Sequence, residues 1–328
     1  MGFKTYKNGE EVGIFDTADI SNVSVDDLEV RDVVSNIFVA VANASTDAAY
    51  STDGITWTAI TMPTSPDWSS VTYGNGKFVA VSTNDFDIAA YSTDGITWTQ
   101  TTMPTSNNWQ SVTYGDGKFV AVVNSYPSST AAYSTDGITW AQATLPTSNG
   151  WYSVTYGDGK FVAIATYGTA AAYSTDGITW TQSTLPANGF WYSVTHGDNK
   201  FVAVAEGTAA YSTDGITWTG TTTTAGVWDS ITHGNDRFLA VGYNSSAASY
   251  SDDGITWTQA TLPASRTWRV TFGNGRYIAV SDSFSSSTTA AYSTDGITWT
   301  QSTLPSGANW TSVTHGAPLL TKSIRNLF

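Results

Sequence analysis

Runs of consecutive apolar residues recur along the chain, separated by polar turns that contain glycine. The first is Phe38-Val39-Ala40-Val41, and the equivalent runs begin at Phe78, Phe119, Phe161, Phe201, Phe238 and Tyr277. Because apolar residues occupy consecutive rather than alternate positions, each run predicts a strand that is buried on both faces. The chain therefore contains seven copies of one buried strand.

A second strand pattern is Trp-x-Ser-Val-Thr followed by an aromatic residue and glycine. It begins at Trp68, Trp109, Trp151, Trp191, Trp228, Trp268 and Trp310. Turns such as Gly-Asp-Gly-Lys join it to the next apolar run. The copy that begins Trp268-Arg269-Val270 is one residue short. That shortening predicts a bulge or a local shift of register in this copy.

An eight-residue phrase, Tyr-Ser-Thr-Asp-Gly-Ile-Thr-Trp, stands at residues 50–57 and returns six more times, with Asp252 as its one departure. Asp-Gly between short strands is a strong hairpin signal, because such turns need positive φ. The Ser and Asp side chains are suited to bind backbone amides of the turn. The aspartates, which recur every 38 to 42 residues, are Asp53, Asp94, Asp136, Asp176, Asp214, Asp253 and Asp295.

Each unit of about forty residues therefore holds four strands, in the order Trp-x-Ser-Val-Thr, Phe-Val-Ala-Val, Ala-Ala-Tyr-Ser and Ile-Thr-Trp-Thr. A repeat of this length with strand content is typical of propellers. The sequence predicts an all-β, seven-bladed β-propeller of four-stranded blades at residues 36–316. The last Trp strand is expected to pair with the N-terminal blade and so remove an exposed edge. Residues 1–35 form a non-repeat segment and residues 317–328 a C-terminal tail.

The eight-residue phrase resembles the Asp-box of sialidase-type propellers, Ser-x-Asp-x-Gly-x-Thr-Trp. It departs from that motif by one residue, because Asp53 and Gly54 are adjacent. The resemblance implies a structural turn at the outer rim of each blade and no direct part in an active site.

Composition limits the possible functions. The formal net charge is −14, which argues against binding nucleic acid or an anionic membrane. Cysteine is absent, so disulfides and thiolate metal sites are excluded. No apolar run reaches transmembrane length, and the N-terminus lacks an apolar signal core. We expect synthesis in the cytoplasm, with no cofactor.

No catalytic constellation stands out, and the sequence predicts a protein that is not an enzyme. A sialidase needs three convergent arginines, whereas Arg237 and Arg276 only replace the turn lysines of other units. His196, His233 and His315 occupy a position that is aromatic in the other units, which indicates a structural role. No metal site is predicted, and the Asp85-Phe86-Asp87 segment is the best local candidate for calcium.

The loops at the two ends of the strands differ in how much their sequences vary between the repeat copies. The Gly-Asp-Gly-Lys and Ser-Thr-Asp-Gly turns share one end, here named the constant face. The opposite end, the variable face, carries the segments after Phe-Val-Ala-Val and before each Trp. Loops on a rigid scaffold concentrate binding residues, so this face is the predicted binding surface. Its candidate ligand-binding residues are Asn84, Asp85, Phe86, Asp87, Asn124, Tyr126, Tyr167, Glu206, Tyr243, Asn244 and Phe284.

The near-identical repeats with Ser, Thr and Asn-rich loops resemble propellers of bacteriophage tail fibres and other virion appendages. This resemblance implies a virion structural or receptor-binding protein, located in the virion. Its variable face would contact host-surface glycan or a neighbouring virion protein, and residues 1–35 or the tail would dock to other virion proteins. Two alternatives stay open. One is a soluble multivalent lectin with one weak sugar site per blade, and the other is a bacterial assembly or scaffold propeller.

Overall fold

A computed structural model describes residues 3–7, 10–15, 29–33, 36–84, 87–282 and 286–323. Throughout these residues the regular elements are strands, and they form an all-β propeller domain. The strands, in chain order, are β1 (Phe3–Lys7), β2 (Glu10–Phe15), β3 (Glu29–Val33), β4 (Ile37–Asn43), β5 (Asp47–Ser51), β6 (Thr58–Thr61), β7 (Asp67–Gly74), β8 (Lys77–Thr83), β9 (Ile88–Ser92), β10 (Thr99–Thr102), β11 (Trp109–Gly115), β12 (Lys118–Val123), β13 (Thr130–Ser134), β14 (Ala141–Thr144), β15 (Trp151–Gly157), β16 (Lys160–Ala165), β17 (Tyr167–Ser174), β18 (Thr181–Gly197), β19 (Lys200–Ser212), β20 (Thr219–Gly234), β21 (Arg237–Gly242), β22 (Ser245–Ser251), β23 (Thr258–Gly273), β24 (Arg276–Asp282), β25 (Ser287–Ser293), β26 (Thr300–Gly316) and β27 (Leu319–Ser323).

The predicted four-stranded unit is most clearly seen in two separate antiparallel sheets, β7 to β10 and β11 to β14. In the later units the outer strand of one sheet continues into the inner strand of the next. Thus β18, β20, β23 and β26 each serve two sheets. The C-terminal half of β26 pairs antiparallel with β4, from Asn309 opposite Asn43 to Gly316 opposite Ile37.

The inner strands, which begin with Trp-x-Ser, carry a β-bulge in every full-length copy. In β11, for example, Trp109 lies opposite Val123 and Ser111 lies opposite Val122, so Gln110 has no partner in the ladder. The bulged residues of the six full-length copies are Ser69, Gln110, Tyr152, Tyr192, Asp229 and Thr311.

The prediction of a bulge in the short copy is therefore wrong. Trp268 pairs with Ser281 and Arg269 with Val280 without any shift of register. The physical reason is that the partner strand has the same length in all units, so the copies with the extra residue must bulge. The short copy, which lacks the extra residue, therefore pairs without a bulge.

The Asp-Gly turns form as the residue pattern predicts. In the first, Asp53 Oδ1 accepts hydrogen bonds from the amides of Ile55 and Thr56 at 2.8 Å each. Ser51 Oγ donates to Asp53 Oδ1 at 2.9 Å and accepts from Gly54 N at 2.8 Å. Gly54 has φ +74°, a left-handed conformation that side chains disfavour. The carboxylate thus accepts the hydrogen bonds that these two amides would otherwise make to water, and it stabilises the turn.

Neighbouring units meet through glycine and aromatic residues at the ends of the inner strands. A methyl group on Gly74 would overlap the ring of Tyr114, and one on Gly157 would overlap His196. The same contact joins Gly115 to Tyr156, Gly197 to His233, Gly234 to Phe272, Gly273 to His315 and Gly316 to Tyr73. The three histidines therefore pack in the aromatic column that the sequence predicted for them.

Serine hydroxyls add a second link between successive inner strands. Ser70 Oγ accepts from Val112 N at 3.2 Å, and Ser312 Oγ accepts from Val71 N at 3.1 Å. Ser111, Ser153, Ser193 and Ser230 make the equivalent bond. In the short copy Arg269 stands at this register position instead of serine.

The core lies between the sheets and is built from the repeat residues. The seven tryptophans that begin the inner strands are each 0% exposed. A buried tryptophan removes about 150–250 Å² from water, worth up to roughly 4–6 kcal/mol each at about 25 cal/mol per Å². Their indole nitrogens donate mostly to carbonyls of the preceding loop, as Trp151 Nε1 does to Thr147 O at 3.2 Å. These tryptophans fix the inner strands against the variable face loops.

The segments at the two ends of the chain pair with each other. A separate sheet has the order β2-β1-β3-β27. Within it β27 pairs antiparallel with β3, from Leu319 opposite Val33 to Ser323 opposite Glu29. The same two chain segments already pair as β26 and β4, so they stay side by side as a ribbon beyond the repeats.

Two glycines of one unit allow the free-energy cost of backbone strain to be measured separately from the cost of overpacking. Gly177 and Gly159 both have φ +73°, but a Cβ on Gly177 would lie 2.7 Å from Val120 Cγ2, whereas a Cβ on Gly159 meets nothing within 4 Å. We expect Gly159→Ala to cost about 1–2 kcal/mol from strain alone. Gly177→Ala should cost about 1–3 kcal/mol more from overpacking. Urea unfolding of both variants measures this difference, and equal losses would contradict the packing assigned to the turn.

The turn aspartates predict acid sensitivity. Burial acts to raise the pKa of Asp136, but the amides of Thr139 and Ile138 and the Ser134 hydroxyl outweigh it and lower the pKa to about 2. Asp214 behaves in the same way, with a pKa of about 2. Since the unfolded chain takes up protons first, the stability from these turns is complete above about pH 4 and is lost towards about pH 2. Urea midpoints between pH 6 and pH 2 should fall steeply, and less steeply for Asp136→Asn. An unchanged slope in that variant would rule out this origin.

Candidate functional site

The bulged residues bring successive inner strands into contact near the variable face. Ser69 Oγ donates to Trp109 O of the next inner strand at 2.6 Å, and Thr311 Oγ1 donates to Trp68 O. The rings of Tyr152 and Tyr192 meet edge to face, with their centroids 5.5 Å apart. A β-bulge commonly re-aims a side chain next to a functional site. The most variable position of the inner strand is thus the position that faces its neighbours.

A charged cluster occupies one side of this arrangement. The Arg269 guanidinium donates from NH1 to Asp229 Oδ2 and from NH2 to Asp282 Oδ2, the latter at 3.3 Å. The Asp229 side chain is 4% exposed, whereas those of Arg269 and Asp282 are 19% and 21% exposed. Two carboxylates therefore hold one guanidinium, and the cluster carries excess negative charge when both are ionised.

The cluster shifts the pKa values around it. Burial would lower the pKa of Arg269, but Asp229, Tyr152 and Asp282 outweigh it and raise the pKa. Burial, reinforced by Asp229, raises the pKa of Asp282 against the opposing effect of Arg269. Burial raises the pKa of Tyr152 to about 12. The Tyr152 hydroxyl is therefore protonated at neutral pH and remains a hydrogen-bond donor.

Several predicted binding residues affect the pKa of Tyr192. Burial raises the pKa of Tyr192, and Asp229, Tyr167, Glu206 and Tyr243 add to the effect. Tyr167 also packs edge to face against Phe190, with ring centroids 5.2 Å apart. Tyr167, Phe190 and Tyr243 are 56%, 45% and 46% exposed. We name these three residues the aromatic rim. Glu206 lies in β19, opposite Val227 of β20.

The other predicted residues lie elsewhere on the face. Asn84 N donates to Asn108 Oδ1 at 3.2 Å, and Asn124 N donates to Asn108 O at 2.9 Å, so both are fixed by one residue. Asn244 N donates to Thr267 Oγ1 at 3.1 Å. Tyr126 is 73% exposed, and Asp87 is exposed at the start of its strand. Asp85, Phe86 and Phe284 lie outside the described residues. As ligand-binding residues, all of these stay predictions.

Two of the three histidines pair with aspartates at the constant face. His196 Nε2 lies 3.0 Å from Asp158 Oδ2 and His233 Nε2 lies 2.9 Å from Asp198 Oδ2, both at the constant face. Burial lowers the pKa of His315. Over the residues described, no group of three or more histidine or acidic side chains is arranged to hold a metal ion. Nor does that part of the chain contain a helix long and apolar enough to cross a membrane.

The sequence did not predict Tyr152, Tyr192, Phe190 or Asp229 as site residues, and Arg269 stood out only as part of the short copy of the inner strand. A signal was present, because the residue after Trp changes in almost every copy while its neighbours stay constant. Such a position among fixed residues is free of the repeat's structural demands. The register that exposes its side chain could be recognised only from the paired strands.

Comparison with known proteins supports the propeller fold. Residues 153–274 match the family described as DUF6242 beta propeller domain. A search of curated proteins found no match. A streptogramin B lyase structure is 14% identical, with a TM-score of 0.68 over 86% of this chain and 93% of that chain. Virginiamycin B lyase from Staphylococcus aureus is 17% identical, with a TM-score of 0.64 over 73% and 84%. YCF48 bound to D1 peptide is 14% identical, with a TM-score of 0.59 over 74% and 84%. Identities this low establish a shared fold alone.

These neighbours correct one prediction. The prediction that the chain is not an enzyme is wrong, because the solved structures similar to this chain include lyases. The absence of a sialidase-type arginine triad excludes one enzyme class and leaves other chemistry open on this fold.

The charged cluster predicts unequal costs for its two carboxylates. Asp229→Ala leaves the mostly buried guanidinium with one partner, and we expect a loss of about 3–5 kcal/mol in the free energy of unfolding. Asp282→Ala removes the more exposed partner and should cost about 1.5–3 kcal/mol. Urea unfolding of the two variants tests the order, and a larger loss for Asp282→Ala would contradict the assigned geometry.

Proposed function

We propose that this chain is a recognition propeller that binds a ligand through its variable face. One observation carries the proposal: the residues that differ between repeats gather at the bulged position and on the loops beside it. Elsewhere the copies are nearly identical. Exposed aromatic and acidic side chains collect around Tyr192 on that face, a composition suited to recognition.

In this proposal the scaffold is a closed ring of seven blades. Support comes from the glycine and aromatic contacts, which run through all seven inner strands and return from Gly316 to Tyr73. The pairing of β26 with β4 joins the first repeat to the last. Parallel bridges between Thr56 and Thr303 and between Thr184 and Thr217 link the turn of one unit to the outer strand of its neighbour. A closed ring leaves only short, protected sheet edges and gives the face a rigid frame.

The terminal ribbon supports presentation of the variable face. The inner strand β26 ends, and β4 begins, where the other units have their Gly-Asp-Gly-Lys turn. Both ends of the repeat region therefore leave on the constant face, and β3 and β27 continue that pairing. A carrier attached through residues 1–35 or the tail would leave the variable face free. A virion is the carrier that the repeat resemblance implies, and the bacteriophage assignment stays a prediction.

Glycan is the ligand class that we favour. Exposed tyrosine and phenylalanine rings offer flat apolar surfaces, while protonated tyrosine hydroxyls and carboxylates offer fixed donors and acceptors. A lectin with one equivalent site per blade is disfavoured, because the bulged residues Ser69, Gln110, Tyr152, Tyr192, Asp229 and Thr311 differ so much in chemistry. A scaffold that holds a protein is the second candidate, since YCF48 of similar fold was solved with a bound peptide.

A binding screen against bacterial envelope glycans tests the proposal. The test variant combines Tyr167→Ala, Phe190→Ala and Tyr243→Ala, and we expect it to lose about tenfold to a hundredfold in affinity, because central aromatic contacts dominate binding. The control combines Ile96→Ala, Ile178→Ala and Ile297→Ala, which removes exposed apolar side chains from the constant face. Both variants should keep the thermal midpoint of the parent.

Equal losses of affinity in the two triple variants would indicate that the ligand does not bind at the variable face. A parent protein that binds no glycan but captures peptides would replace the glycan assignment by the scaffold alternative.

A further inference from the structure

Five polar side chains of neighbouring strands are here named the central cluster: Tyr152, Tyr192, Asp229, Arg269 and Asp282. Its members come from the inner strands β15, β18, β20 and β23 and from the end of β24. The charges of Asp229, Arg269 and Asp282 all act on the Tyr152 hydroxyl, and its ring contacts that of Tyr192. Five side chains from five strands therefore meet through two sets of contacts, the rings of Tyr152 and Tyr192 and the pairing of Arg269 with Asp229 and Asp282.

Arg269 is already paired with two carboxylates of the protein itself. One nitrogen donates to Asp229 Oδ2 and approaches the Asp229 carbonyl at 3.4 Å, and another donates to Asp282 at 3.3 Å. Bidentate recognition of a ligand carboxylate requires a guanidinium edge that is free to pair. Here the carboxylates of the protein itself occupy that role, so the guanidinium orients Asp229 and Asp282.

The charge around the cluster is unfavourable to acidic ligands. Asp229 and Asp282 outnumber the single Arg269, and Glu206 adds its charge to the field at Tyr192. The four lysines of the repeat region, Lys77, Lys118, Lys160 and Lys200, all stand in turns of the constant face. Arg266 is the remaining cation of the variable face, in β23 opposite Ser245. A carboxylated ligand would meet net negative potential in a site of reduced dielectric.

Hydroxyl groups suit the same surface. Tyr152 and Tyr192 keep their protons at neutral pH and can donate, while the Asp282 carboxylate, whose side chain is 21% exposed, can accept. Neighbouring sugar hydroxyls need such mixed donors and acceptors at fixed positions, and the aromatic rim supplies surfaces for the ring faces of the sugar.

From this geometry we infer that the central cluster is the anchoring subsite of the variable face, and that it selects uncharged saccharides over carboxylated ones. This inference rests on the proposed glycan-binding function and names its ligand class. The one-residue shortening at Arg269 contributes to it, because that copy alone has an arginine at the register position that serine holds in the others.

The test compares neutral sugars with acidic relatives that carry one additional, carboxylated sugar residue, using the full chain. Lactose and sialyllactose form one pair, and xylotriose with its glucuronic acid derivative forms another, each presented on an array and titrated by surface plasmon resonance. We expect the neutral member of whichever pair is recognised to bind at least tenfold more tightly. Lowering the salt concentration should increase this preference, because screening weakens.

Three variants test which residues produce the preference for neutral sugars. Tyr152→Phe removes only a hydroxyl, and it should weaken neutral sugar binding by about fivefold to tenfold. The matched control Tyr156→Phe lies on the same strand, β15, in the aromatic column where Phe272 already occurs, and should leave binding unchanged. Arg266→Ala should leave the neutral preference unchanged, because the inference assigns selection to the central cluster.

The outcomes separate the two proposals. Equal or tighter binding of the acidic members would overturn the neutral-sugar inference while leaving glycan recognition by the variable face intact. An unchanged affinity in Tyr152→Phe would also overturn it, because the anchoring contact would lie elsewhere. The absence of binding to any sugar on the array would overturn both.

Discussion

The contact between successive inner strands is the constraint on which the rest of this structure depends. Each unit of about forty residues is too small to bury its own tryptophans, so it must pack against its neighbours. A glycine at the end of one inner strand admits the aromatic ring of the next, and a serine hydroxyl accepts an amide hydrogen from the next strand. These links require the same residues at the same positions, which explains why the copies are so similar.

The same constraint creates the candidate site. A strand that must match a partner of fixed length and carries one extra residue can only bulge, and the bulged side chain leaves the ladder. That residue has no partner in the ladder of its own sheet, and its identity varies between copies, from Gln110 to Tyr152 to Asp229. Where the extra residue is missing, Arg269 enters the register position of serine and joins Asp229 and Asp282. Local variation on a rigid repeat thus yields one asymmetric polar cluster.

The sequence was sufficient to predict the all-β propeller class, because hairpin turns such as Asp53-Gly54 and runs such as Phe38-Val39-Ala40-Val41 depend on local physics alone. The expectation that the variable face binds a ligand stays a prediction, and three of its candidate residues, Tyr167, Glu206 and Tyr243, act on the pKa of Tyr192. The sequence was insufficient for the bulges, since a comparison of copies made the shorter one look irregular. The pairing of β3 with β27 could not be predicted either, because that ribbon joins segments almost three hundred residues apart that share no repeat signal.

The central claim of this account is that the variable face carries one composite site. Isothermal titration calorimetry of the intact chain with a recognised oligosaccharide tests it most directly, because the stoichiometry is independent of which side chains make contact. The account predicts one bound ligand per chain. A stoichiometry near seven, matching the number of repeats, would contradict it and would indicate equivalent sites on the individual blades.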